Sequence, residues 1–283
     1  IRIWAKTGEK DNWGRNLHRK VKSVLQDITG DLKIDYPTNK SGKEDFPSYP
    51  IFNSKNPSYV YYDKKHIQKG VYNKENFYFQ VFPFKIDSLD NFSTDGLEFD
   101  GHFTPASIFP SFDEKLKIQS DFSLGFIRST PTDGFPAYQN KGVYKNEIRL
   151  SHRGLRGDGE LNYLRSTTLS DDYIFFPDSM NTHANKFNNI KTLSGIEYPS
   201  VEADSIYIHW EPWQAQMIVH KKKIPMQMYD KEAIIHGAIV LEPTGMRGWG
   251  KMEFVNAELS SPEFIYSADV FDADTSNFDL KSA

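Results

Sequence analysis

Apolar and polar residues alternate in short runs through most of this chain, and the runs are separated by glycine, proline, asparagine and aspartate. Tyr59, Tyr61, Phe77, Phe79 and Val81 recur at spacing two within SYVYYD and NFYFQV, which predicts two strands with a polar connection. Between Leu97 and Phe126 the runs LEFDGHF, ASIFPSF, KLKIQ and FSLGFI continue the rhythm, and SIYIHWEP and AQMIVHKKKIPMQMY carry it further along the chain. One stretch differs. In RNLHRKVKSVLQDI, residues 15–28, Leu17, Val21, Val24 and Ile28 recur at three and four, predicting a one-faced helix closed by Gly30, with a strand over DITGDLKID as its competitor. Residues 36–57 hold four prolines among Asn39, Ser41, Gly42, Asn53 and Ser54, and read as a long loop or linker.

The pattern repeats on a larger scale. The segment GLRGDGELNYLRSTTLSDDYIFFPDSMNTHANKF, residues 154–187, returns without a gap 91 positions later as GMRGWGKMEFVNAELSSPEFIYSADVFDADTSNF. Eight of 34 aligned positions are identical, against about two expected from ordinary residue usage. Val143, Tyr144, Ile148 and Leu150 match Ile234, Ile235, Ile239 and Leu241 at the same offset, so the unit extends over 142–187 and 233–278. Three glycines in six residues, G-x-R-G-x-G, invite comparison with a phosphate loop, but no Lys-Ser/Thr follows and a strand comes next. The glycines are read instead as a tight reversal or bulge between neighbouring strands.

The expectation is a mainly β protein of repeated β-rich units, with β-solenoid or β-helix-like stacking slightly favoured over stacked β-sandwich modules. Its divisions are an N-terminal segment 1–57, a β-rich module 58–141, a first repeat copy 142–190, and a segment 191–283 holding linker strands and the second copy, 233–278.

Composition narrows the chemistry. Phe (21) and Tyr (15) far outnumber Trp (5), which suits cross-strand pairing. The net charge of −4 is spread along the chain, so nucleic acid is not an expected partner. There is no cysteine, which excludes disulfides, zinc-thiolate sites and a cysteine nucleophile. No apolar run is long enough for a membrane-spanning helix. The chain begins at Ile1 without methionine or a signal peptide, so it is expected to be a processed product or a piece of a longer protein.

Candidate sites are few. Arg156 and Arg247 occupy one slot of the repeat, and Asp178 and Asp269 another, so bidentate staples Arg156–Asp178 and Arg247–Asp269 are expected, with an acidic ligand as the functional alternative for the arginines. Trp210, Trp213 and Tyr207 in SIYIHWEPW offer flat platforms for sugar rings. Asp269, Asp272 and Asp274 in the tail form an oxygen-rich stretch for which calcium is the candidate ion, no other cofactor being expected. The pairs Asp113–Glu114 and Glu202–Asp204 read as turn residues, and no histidine pair or nucleophile motif has enzymatic spacing. An enzyme is not the expected class.

Several phrases taken together, NKSG at 39–42, SYVYYD at 58–63, FPFKIDSLDNF at 82–92, SLGF at 123–126, GLRGDGELNYL and FFPDSM, resemble segments of very long, repetitive, β-rich cell-envelope or secreted proteins of Bacteroidota-type bacteria. Asp87-Ser88-Leu89, Asp178-Ser179-Met180 and Asp204-Ser205-Ile206 are similar to the short O-glycosylation signal of exported proteins in that group. The resemblance implies a periplasmic, outer-membrane-associated or cell-surface location. It also implies a structural or assembly role through contacts with other envelope proteins or with further repeats of the same chain. A carbohydrate-binding or polysaccharide-processing protein with an aromatic-lined face is the alternative.

Overall fold

The computed structural model describes residues 4–10, 16–20, 25–35, 49–62, 72–86, 98–192, 198–220, 225–254, 260–261, 265–267 and 278–279. Among them strands dominate and no helix occurs, as the abundance of aromatic and β-branched residues at spacing two leads one to expect. Strand β1 (Trp4–Lys10) pairs with β2 (Asn16–Lys20), and β3 (Leu25–Asp35) pairs with β4 (Tyr49–Tyr61). The helix expected over residues 15–28 is therefore not formed. Its two halves lie in β2 and β3, where a ladder running from Leu25↔Tyr61 to Asp35↔Tyr49 supplies the backbone hydrogen bonds a helix would have supplied internally. The competing strand over DITGDLKID is the one realised. The loop expected over residues 36–57 gives way to β4 from Tyr49 onward, and this strand runs unbroken across the division expected at 57/58.

Next come β5 (Phe77–Val81), β6 (Lys85–Ile86), β7 (Glu98–Pro105), β8 (Phe112–Ile118), β9 (Leu124–Ser129) and β10 (Phe135–Ala137). Four ten-residue strands follow: β11 (Gly142–Ser151), β12 (Gly154–Tyr163), β13 (Ser166–Phe175) and β14 (Met180–Asn189). Then β15 (Val201–Glu211), β16 (Gln216–His220), β17 (Met226–Met228), β18 (Ala233–Glu242) and β19 (Gly245–Phe254) continue the sheet, and the short β20 (Ser260–Ser261), β21 (Ile265–Ser267) and β22 (Phe278–Asp279) end it. Every described pairing is antiparallel, mostly between sequence neighbours. Short turns suffice for such connections. The chain divides into two compact units. One comprises Ile1–Ala106, Pro110–Ile127 and Arg149–Gly154, the other Ser107–Phe109, Arg128–Ile148 and Leu155–Ala283.

The first unit is held by aromatic residues. Phe77, Phe79 and Val81 alternate inward along β5, and Phe99 and Phe103 along β7. The Phe103 ring meets Phe77 edge-on at 5.3 Å and Phe126 at 5.2 Å, the geometry favoured by ring quadrupoles. Of the tyrosines in SYVYYD, Tyr62 is buried and donates to the Leu124 carbonyl at 2.8 Å, while Tyr59 and Tyr61 stack at 5.9 Å on the opposite side of β4.

In the second unit Phe109 packs on Phe135, Tyr144 and Phe175, and Trp210 is enclosed by Tyr138 and Tyr163. Strands β13, β14 and β15 share a peculiarity. In each, inward alternation is broken by two successive outward residues, Asp171-Asp172, Asn185-Lys186 and Asp204-Ser205, after which alternation resumes on the same inner side. A break of this kind acts as a bulge: it bends the strand while keeping one face buried over both halves. At one such break Ser205 takes φ +52°.

The glycines of the doubled segment have a common structural cause. Gly159 on β12 and Gly250 on β19 sit so close to the neighbouring strand that an added Cβ would lie 2.0 Å from the Lys145 carbonyl oxygen and 2.2 Å from the His236 carbonyl oxygen, respectively. Lys145 and His236 are themselves 91 positions apart. The cluster thus lies within a strand, and its last glycine allows close approach of two backbones where its first follows the turn. The hairpins β11–β12 and β18–β19 have strands of equal length, but the strands that follow differ. Leu161 pairs with Thr168, whereas its counterpart Met252 pairs with Ser261, two residues beyond the counterpart of Thr168. A shift of two keeps each side chain on its face.

Burial also sets an alkaline limit on stability. The Tyr163 hydroxyl donates to the Ala215 carbonyl at 2.8 Å, and its pKa is pushed up to about 12, chiefly by burial and then by the charge of Tyr198. Burial likewise raises Tyr62 and Tyr173. A raised folded-state value means that this stability is full below the unfolded tyrosine value, about 10, and is lost as pH climbs through the folded values. Thermal melts between pH 8 and 12 are expected to fall steeply above pH 10, and Tyr163→Phe is expected to flatten that fall; an unchanged slope in the variant would contradict the assignment.

Candidate functional site

The three aromatic residues expected to form one sugar platform are separated by burial. Trp210 points into the core with 0% exposure, whereas Trp213 and Tyr207 are 40% and 50% exposed. Alternation on β15 explains the split, since Tyr207 lies an odd number of residues from Trp210 and so takes the other face. The Trp213 indole N–H donates to the Pro177 carbonyl at 3.0 Å, and the Lys141 ammonium stands 5.6 Å from its ring, so this side chain is tied to a turn. No common Trp210–Trp213–Tyr207 surface exists.

The arginine staples are also differently made. The Arg156 Nη1 contacts Asp172 Oδ1 at 2.5 Å, and Asp178 accepts instead from the Ser179 hydroxyl at 3.0 Å. Arg247 donates through Nε and Nη2 to a single oxygen of Glu242, at 3.2 and 2.8 Å. Asp178 follows the end of β13, beyond the cross-strand neighbour of Arg156, Ile174, while Asp172 lies within that strand. Exposed pairs of this type contribute about 0–1 kcal/mol. Asp269, Asp272 and Asp274, the expected calcium ligands and the second staple's acid, lie outside the described residues. Among the described residues no group of three or more His, Asp or Glu could hold a metal ion.

What the fold does assemble is a polar and aromatic outer face on the second unit's sheet. One register row runs His183↔Tyr207↔His220↔Ala238↔Trp249 across β14, β15, β16, β18 and β19. The Tyr207 ring lies 4.5 Å from His183 and 5.6 Å from His220. The next row runs Arg156↔Ile174↔Asn181↔His209↔Ile218↔Val240↔Arg247↔Ser267, so the two arginines lie on one line across the sheet. Within it His209 Nδ1 meets Asn181 Oδ1 at 2.6 Å. Neighbouring positions in such rows are about 5 Å apart. These histidines escape motif searches because each lies on a different strand.

Beside these rows the face has a recess of about 390 Å³, lined by Lys186, Glu202, Ala203, Asp204, Ser205, Pro225, Gln227 and Ile234. It lies where β16 and β17 share one lane between β15 and β18. β16 pairs with Tyr207–Glu211 and β17 with Val201–Glu202, and residues 221–224, which join the two, lie outside the described residues. Glu202 and Asp204 are therefore strand residues facing outward, and Asp113 and Glu114 also lie in a strand, β8; neither pair occupies the turn expected. The Ser205 hydroxyl approaches His183 Nε2 at 3.4 Å.

Comparison with protein-family models, with curated proteins and with solved structures finds no match. No helix among the described residues is long and apolar enough to cross a membrane.

Proposed function

We propose that this chain is a non-enzymatic building segment of a large bacterial envelope or surface protein, acting through contacts with other envelope proteins or with further β-rich units of the same chain. The observation that carries this reading is the paired glycine approach. At an offset of 91 residues the chain repeats a hairpin of equal strand length and the close contact of a glycine with its neighbour's carbonyl, Gly159 with Lys145 and Gly250 with His236. The outward side chains are repeated only in part: Arg156 and Arg247 share a slot, but Asp158 stands where the second hairpin has Trp249. Duplication that keeps backbone geometry and lets surface chemistry drift suits a scaffold. Antiparallel pairing throughout favours sheet modules over the parallel coils of a β-helix as the repeating unit.

The resemblance of the sequence to long envelope proteins supports a location in the periplasm, at the outer membrane or on the cell surface. Cross-linking of the full-length protein in its native cells, followed by mass spectrometry, is expected to join this segment to outer-membrane proteins or to other segments of its own chain. Recovery of the protein in the cytoplasm, with no such cross-links, would overturn the proposal.

A further inference from the structure

We infer that a further β-rich unit of the same chain joins this segment strand to strand, as a continuation of one antiparallel sheet, and does not pack on a face of it. The two copies already present join in this way. Their likeness begins before Gly142 and Ala233, where the match in sequence starts. β10 and β17 lie 91 positions apart and pair in identical register: Phe135↔Tyr144 and Ala137↔Gly142 in the first copy, Met226↔Ile235 and Met228↔Ala233 in the second. The connections that follow are also alike. Tyr138, Gln139 and Asn140 take φ of 49°, 57° and 66°, and Tyr229, Asp230 and Lys231 take 54°, 54° and 78°. Three successive non-glycine residues in the left-handed region persist only where their surroundings enforce them, so one backbone path is kept in both copies.

Both copies belong to a single sheet. From β11 to β18 there are six steps across it, through β12, β13, β14, β15 and the lane shared by β16 and β17. Six strand spacings amount to roughly 29 Å. Joining of this kind uses backbone N–H and C=O groups, which a strand offers whatever its side chains. The faces offer less. The inner one is occupied, since Phe135 and Met226 are buried at matching positions, as are Tyr144 and Ile235. The outer one bears Lys145, Asp158 and Glu160 on the first hairpin and Arg247 and Glu253 on the second, all exposed or partly exposed. A unit stacked there would strip water from these charges, at a cost that only close pairing offsets.

This mode of joining rests on the scaffold role proposed above, and its test separates the two. Electron cryo-microscopy of the full-length protein is expected to show the strands of this segment running on into the next unit at about 4.8 Å spacing, with units of this kind recurring at roughly 29 Å along the sheet. In the same protein Asp158→Arg and Glu253→Arg, which reverse charge on the outer face, should move the melting temperature by no more than about two degrees, as surface changes do. Units packed face on face, or separate modules on linkers, would overturn the inference and leave the scaffold role standing, as would a larger fall for both reversals. A full-length chain with no further β-rich unit would overturn both.

Discussion

Replacing Trp210 with alanine is expected to lower the stability of the second unit by about 3–5 kcal/mol, the usual cost of truncating an enclosed tryptophan. The side chain is fully buried, with Tyr138 edge-on at 5.1 Å and Tyr163 at 5.0 Å. It also fills the space above Gly142, where an added Cβ would come within 2.8 Å of the indole. Its cross-strand partners, Met180 and Met217, are buried as well, so no water can fill the void and the rigid sheet cannot collapse into it. The melting temperature should fall by roughly ten degrees. Trp213→Ala, at a residue 40% exposed, should cost only about 1 kcal/mol. Equal losses from the two variants would show that the burial assigned to Trp210 is wrong.

Gly250→Ala should be nearly as damaging, by a different route. Gly250 has φ +123°, a conformation that side chains adopt only under strain of about 1–3 kcal/mol. Its new Cβ would fall 2.2 Å from the His236 carbonyl oxygen and 2.8 Å from Gly237 Cα, so the β18–β19 ladder must also open, at a further cost of about 1–3 kcal/mol. Backbone atoms, unlike the end of a long side chain, cannot step aside. Hydrogen exchange should show lost protection from Ala233 to Phe254, where the ladder pairs these strands along their whole length. Arg247→Ala, three residues away on the same strand but exposed, serves as the comparison and should leave protection intact. If Gly250→Ala is tolerated, the close approach cannot be why glycine recurs at this slot.

The bland and the specific parts of the sequence were informative in different ways. Alternation located β5, β7, β9, β15 and β16, because a strand with one buried face must place apolar residues at every second position. It failed at residues 15–28, where spacing of three and four suggested a helix; there the ladder between β3 and β4 outweighed a weak local preference. Within β13, β14 and the first half of β15 a bulge in mid-strand shifts the apolar phase by one, which blurs a period-two signal.

Pairing of charges was less legible still. Arg156 and Asp178 recur together at one offset, yet Arg156 bonds Asp172. Recurrence says that both residues were copied with the segment and does not say that they touch. The outer row of His183, Tyr207 and His220 carries no linear motif, because its members meet only through the registers β14–β15 and β15–β16.

By itself, then, the sequence determined the strand-rich class, the turns between short strands and the offset of 91 residues between two related segments. All of these follow from the chain's local preferences, from turn residues and from copied segments. Tertiary structure decided that the strands pair antiparallel, that Trp210 is core while Tyr207 is surface, and why Gly159 and Gly250 must lack a side chain. Those outcomes depend on strand pairing and register, which are set by contacts between residues far apart in the chain.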